Sequence, residues 1–169
     1  MSALRAASQD TVPTQDETHE RIRDLLGAVT TALLEEQPEL IAFEDRRPQR
    51  DRSSGESWHG VGTLCHVSPL LASHGAPRPA DAHTEDLVEV VHSVASLRGM
   101  RRHRDLDGAA SRGASWIDEA GDRLDLVVGV RVAVRAISAP FLPGSLSPVT
   151  TTSPPSPISP LTPPPRPLR

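Results

Sequence analysis

The chain has 169 residues, a formal net charge of −4 and 37% hydrophobic residues, enough for one domain with a single core plus a tail. All 18 basic residues are Arg, which removes lysine chemistry such as Schiff-base formation. The aromatics are only Trp58, Trp116, Phe43 and Phe141, so stacking platforms are scarce, and a mildly acidic chain of this kind is not expected to bind nucleic acid.

The acids all lie at or before Asp125. The one basic cluster, Arg98 to Arg104 in LRGMRRHRDLDG, is followed at once by Asp105 and Asp107, which offset its field. It reads as a solvated strand face. Cys65 is the single cysteine and cannot form an internal disulfide, so nothing demands an oxidising compartment. The start, MSALRAASQDTVPTQDE, lacks a continuous apolar run of the secretory type. A cytoplasmic protein is the expectation, with residues 1–13 disordered.

In chain order, Thr14-Gln-Asp-Glu17 has capping-box spacing. Behind it Ile22, Leu25, Leu26, Val29, Leu33 and Leu34 fall on one stripe of a helix spanning about 16–36, which Pro38 closes. LIAFEDR (40–46) reads as a short strand, 47–57 as a polar loop, and WHGVGTLCHVS (58–68) as a second strand. The next stretch, broken by Pro69, Pro77 and Pro79, reads as a loop. Thr84 is placed to cap a second helix whose buried stripe is Leu87, Val90, Val91, Val94 and Leu97, with Gly99 as its stop. MRRHRDL (100–106) and GASWID (113–118) follow as strands, separated by the turn residues Asp107-Gly108.

RLDLVVGVRVAVRAIS (123–138) is the most apolar stretch. Asp125, Arg131 and Arg135 interrupt it, each costing about 2.5–3.5 kcal/mol near a bilayer centre, so it is not a membrane anchor. Leu124, Leu126, Val128, Val130, Val132 and Val134 alternate strictly. A two-residue loop would mix Arg131 and Arg135 into the buried face. A three-residue loop, Gly129 to Arg131, sets Val128 opposite Val132, Leu126 opposite Val134 and Asp125 opposite Arg135. This hairpin is favoured over one long kinked strand. Its weakness is Arg131 at a position that usually takes Gly. Residues 145–169 carry most of the prolines and no acid, a composition that buries no core and reads as a disordered tail. Its Pro164-Pro165-Arg166-Pro167-Leu168-Arg169 has the form of a polyproline ligand for a protein partner.

Chemistry is sparse. His59, Cys65, His66 and His74 form the only metal-like grouping in the sequence, but adjacent Cys65 and His66 point to opposite faces of a strand. No GxSxG, HExxH, P-loop or GxGxxG occurs. No catalytic, cofactor or metal residue is therefore assigned.

The order of elements, with RGMRRHRDLDGAA, DRLDLVVG and VRVAVRAISAPFLPG, resembles a group of small uncharacterised proteins of high-GC actinobacteria, some secreted or lipid-anchored. The resemblance covers about residues 16–144 and implies a fold, not a function. Members often read Ser-Pro-Cys near the end of the last strand, paired with an earlier Cys; here Ala139-Pro140-Phe141 stands there and Cys65 has no partner. The expectation is one α+β domain over 14–144, with two helices packed on a mainly antiparallel sheet. As function, a non-enzymatic interaction or accessory protein leads. The alternatives are a small hydrolase or metal-dependent enzyme using Cys65 or the histidines, and a reading frame without a functional product.

Overall fold

The first helix, α1 (Gln15–Glu36), starts where the capping box places it. Thr14 Oγ1 accepts from the Glu17 backbone N–H at 3.3 Å, and Glu17 Oε2 accepts from the Thr14 N–H at 2.9 Å. Ile22, Leu25, Leu26, Val29 and Leu33 are buried as the spacing predicts. Pro38 ends the helix and opens a single 3-10 turn (Pro38–Leu40). There the buried Gln37 locks the helix end, its amide donating to the His83 carbonyl and accepting from the Arg78 N–H.

The computed structural model describes residues 12–144; the expectations for the first residues and for the proline-rich tail lie outside them. After α1 come β1 (Phe43–Arg47), β2 (Arg50–Trp58), β3 (Val61–Val67), β4 (Leu70–Ser73), α2 (Asp81–Ser96), β5 (Arg101–Asp105), β6 (Arg112–Ile117), β7 (Arg123–Val128) and β8 (Val132–Ile137). The eight strands form one antiparallel sheet in the order β1-β4-β8-β7-β6-β5, with the β2–β3 hairpin branching from β8. Both helices pack on one face, so the molecule is an α+β domain.

The core lies between the helices and the inner face of β6–β8. Trp116, Leu124, Leu126, Val132 and Val134 are fully buried there, and Trp116 Nε1 donates to His92 Nδ1 on α2 at 3.1 Å. The β7–β8 hairpin has the expected three-residue loop and register, with Val128 opposite Val132 and Asp125 opposite Arg135. Arg131 is not among the residues with positive φ, so the conformation that would have penalised it does not arise. On the outer face Asp125 is shared by Arg123 at 3.1 Å and Arg135 at 3.7 Å.

Four expectations are corrected. Residues 47–57 are not a loop: Arg50–Trp58 form β2, a strand at the end of the sheet whose residues are mostly exposed, so no apolar alternation marks it. His59 (φ 47°) and Gly60 (φ 80°) make its turn into β3, the doubly left-handed geometry that suits a two-residue hairpin. The proline-broken stretch contains β4, which pairs with β1 and β8. The second helix begins at Asp81, before Thr84, with Ala80 at its start offering no side-chain cap. Its buried stripe is Leu87, Val88, Val91 and Ala95, while Val90 and Val94 are half-buried and Leu97 is 86% exposed. The earlier start shifts nothing in register; the buried face is turned toward Val88 and Ala95, and α2 rests on both α1 and the sheet.

Candidate functional site

On α1, Gln15, His19, Ile22 and Leu26 recur at helical spacing, so the buried stripe continues toward the N-terminus as polar side chains. His19 thus faces the β2–β3 hairpin. His66 lies on β3 and is almost fully buried; Ser138 Oγ accepts its backbone N–H at 2.8 Å. Asp51, one strand over on β2, is directly opposite His66 in the register. The three side chains meet. His66 Nδ1 lies 2.6 Å and His19 Nε2 3.0 Å from the same Asp51 oxygen, Oδ1. Gln15 Nε2 donates to the other oxygen, Oδ2, at 2.9 Å, and Gln15 Oε1 accepts from the Gly144 N–H. The imidazole rings lie 4.0 Å apart at 39°, with Phe141 edge-on to His19 at 5.9 Å.

Burial pushes the Asp51 carboxyl up, but the hydrogen bonds from His66 and then His19 outweigh it and hold it below the usual value. The carboxylate is therefore charged at neutral pH, saturated by three side-chain donors, and joins α1 to the hairpin.

Both imidazoles line a cleft of about 300 Å³ between α1 and the bend joining β3 to β4. Ile22, Leu26, Pro69 and Leu71 give it an apolar wall, and Gln49 adds a further polar group. A larger depression of about 470 Å³ opens beside the β7–β8 loop. It is shallower, and its charged residues are paired: Arg78 with Glu39 at 2.9 Å, and Arg112 with Asp81 of the same lining at 3.4 Å.

The histidines and cysteine grouped by the sequence do not meet. His59 sits in the β2–β3 turn with its ring against Trp58 at 4.3 Å. His74 Nε2 lies 2.5 Å from Glu44 Oε2. Cys65 projects from the strand face opposite His66, buried, with Arg52 Nε donating to its sulfur at 3.4 Å. Only His66 belongs to the cluster. Its partners were missed because His19 lies in a helix read by its apolar residues and Asp51 in a run read as a loop. The usable signal was His19 falling in line with Ile22 and Leu26.

The fold and site define a small α+β domain whose sheet branches beside its first helix and holds a His–Asp–His cluster at the branch. No protein-family profile matches the chain, and no curated protein does. Among solved structures it is similar to a DUF4853 family protein from the actinobacterium Actinomyces odontolyticus, with a TM-score of 0.51 and 17% sequence identity over 80% of this chain and 75% of that one. The likeness is one of fold, and it supports a loose match to uncharacterised actinobacterial proteins. Among the described residues no helix is long and apolar enough to cross a membrane.

Proposed function

We propose that this is a non-enzymatic binding or accessory protein whose ligand enters the cleft between α1 and the β3–β4 bend. The make-up of that cleft carries the reading. An apolar wall (Ile22, Leu26, Leu71) meets hydrogen-bonding groups at one end (His19, His66, Gln49); with the His19 and His66 N–H groups spent on Asp51, the remaining nitrogens of the neutral rings accept, which suits a small ligand with an apolar body and a donor head. A short aliphatic alcohol has that chemistry.

The candidate nucleophiles are committed elsewhere. Ser68 Oγ donates to the Pro69 carbonyl and accepts from the Ala136 N–H. Cys65 sits on the opposite strand face from His66, so the Asp51–His66 pair has no thiol to activate. The free cysteine supports placement in the cytoplasm, and the proline-rich tail supports a protein partner of the polyproline-reading kind.

Titration of the 15N-labelled, metal-free chain with 1-hexanol tests the cleft. Shifts are expected at Gly27, Thr30, Ser68 and Leu71. Gly27 has open space where a side chain would start, so Gly27→Leu fills the cleft without a backbone clash and should abolish them. Shifts confined to other surfaces, or a response that survives in Gly27→Leu, would overturn the reading.

A further inference from the structure

We propose that His19, Asp51 and His66 form a binding centre for a divalent first-row transition ion, zinc first among them. The nitrogens His19 Nε2 and His66 Nδ1 come from different elements yet converge on one point, the Asp51 Oδ1 atom, at 3.0 and 2.6 Å. The three donor atoms all lie within 4.8 Å of one another. Zinc bonds to imidazole nitrogen and carboxylate oxygen are about 2.0–2.2 Å. An ion held by these donors therefore needs Asp51 to withdraw and the rings to shift by roughly 1 Å, a side-chain adjustment rather than a rearrangement of strands.

The donor set fits the chemistry. Two neutral imidazoles and one carboxylate suit zinc and its neighbours, and three protein ligands leave a position open. The outer support is present. Gln15 holds the second Asp51 oxygen, and Ser138 fixes the backbone of His66, the kind of shell that orients ligands and sharpens affinity. In the metal-free protein the carboxylate holds both imidazoles by hydrogen bonds, so the donors are gathered before an ion arrives. On binding, each neutral ring carries its single proton on the nitrogen turned away from the ion, a change of tautomer through solvent with no net release, and only a ring that was imidazolium gives up a proton. The centre stands independently of whether the cleft accepts an organic ligand, since its donors are the cluster alone.

The test is calorimetric titration of the tag-free, chelator-treated full chain with zinc chloride, with cobalt chloride absorption as a report on the donor set. One ion per chain is expected. His19→Gln removes the imidazole but keeps an amide that can donate to Asp51, so the fold is retained; this variant should lose stoichiometric binding, as should Asp51→Asn. Gln15→Leu should weaken affinity by about 10–100-fold, as expected for a positioning residue. His59→Ala and His74→Ala should bind like the parent. No stoichiometric uptake by the parent chain, or uptake that persists in His19→Gln and vanishes in His59→Ala or His74→Ala, would overturn the proposal. The 1-hexanol titration is performed without metal, so either result can fail alone.

Discussion

Replacing Arg21 by Met removes a contact that binds α1 to the turn between β6 and β7. Asp122, in the turn between β6 and β7, is 3% exposed. Its carboxylate accepts from Arg21 Nε at 2.7 Å, from Arg21 Nη2 at 3.1 Å and from the Ala139 N–H at 2.7 Å. The methionine keeps most of the aliphatic stem and takes away both charged donors, leaving a buried carboxylate with one backbone partner. Breaking a fully buried pair costs about 3–5 kcal/mol. The Arg21 side chain is 41% exposed, however, so water can reach the vacated position and the loss is discounted to about 2 kcal/mol. For a domain of this size that lowers Tm by about 6–10 °C. Urea unfolding followed by circular dichroism measures it. Asp122→Ala and the double variant complete a cycle in which the double loss should be clearly smaller than the sum of the singles. A loss below about 0.5 kcal/mol in Arg21→Met, or strict additivity, would show that Asp122 is satisfied without the guanidinium.

Three further outcomes follow from single contacts. Gly113→Ala would set a Cβ 2.0 Å from the Leu126 carbonyl oxygen across the β6–β7 ladder, and since backbone cannot yield, a loss of about 3 kcal/mol or more is expected by thermal melt; an unchanged Tm would contradict the register. Ser68→Ala leaves the Ala136 N–H without its hydroxyl acceptor and should cost about 1–3 kcal/mol in urea unfolding, whereas a neutral result would mean that water replaces it. Glu39 is held below the usual carboxylate range by its own backbone N–H and then by Arg78, so its contribution is present above the unfolded value of about 4.3 and disappears as pH falls through the lower folded value. The stability gap between the parent chain and Glu39→Gln should accordingly close in acid, and a gap that persists at pH 2 would contradict the assignment.

Apolar periodicity made part of this molecule legible. The stripe of α1 and the alternation within 124–128 and 132–134 specify their burial because each lies on a large core, and the hairpin register followed from keeping Arg131 and Arg135 off the buried face. It failed where strands have little to bury. In β2 most residues are exposed, so its pairing with β3 leaves no trace in hydrophobicity. β4 is four residues long and held by partners far away in sequence, Phe43 to Arg47 and Ala133 to Val134. The candidate site needed the strand that periodicity could not show. Without β2 there is no reason to set Asp51 beside His66, and without the hairpin folded toward α1 there is none to bring in His19.

The position of that site depends on a break in the sheet. One edge of β8 serves two strands: β3 pairs with it at Val67–Ile137, and β4 pairs at Leu71–Val134 and Ala72–Ala133. A continuous ladder would supply a carbonyl for every N–H along this edge; a branched one cannot, and a buried N–H left alone costs about 1–3 kcal/mol. Three buried serines close the gaps. Ser68 Oγ accepts from the Ala136 N–H, Ser73 Oγ from the Val132 N–H and Ser138 Oγ from the His66 N–H. Each hydroxyl also donates to a nearby carbonyl, of Pro69, Gly75 and Ala139 respectively. A hydroxyl suits the task because it accepts and donates at once, which neither a backbone N–H nor a carbonyl can do. Pro69, at the bend, brings no N–H of its own to be satisfied. With its hydrogen bonds met, β3 can turn away from the line of β4, and the cleft opens beneath the turn with His66 on its wall. These serines therefore hold open the geometry on which both the cleft and the His–Asp–His cluster depend, although their hydroxyls bond only to backbone groups.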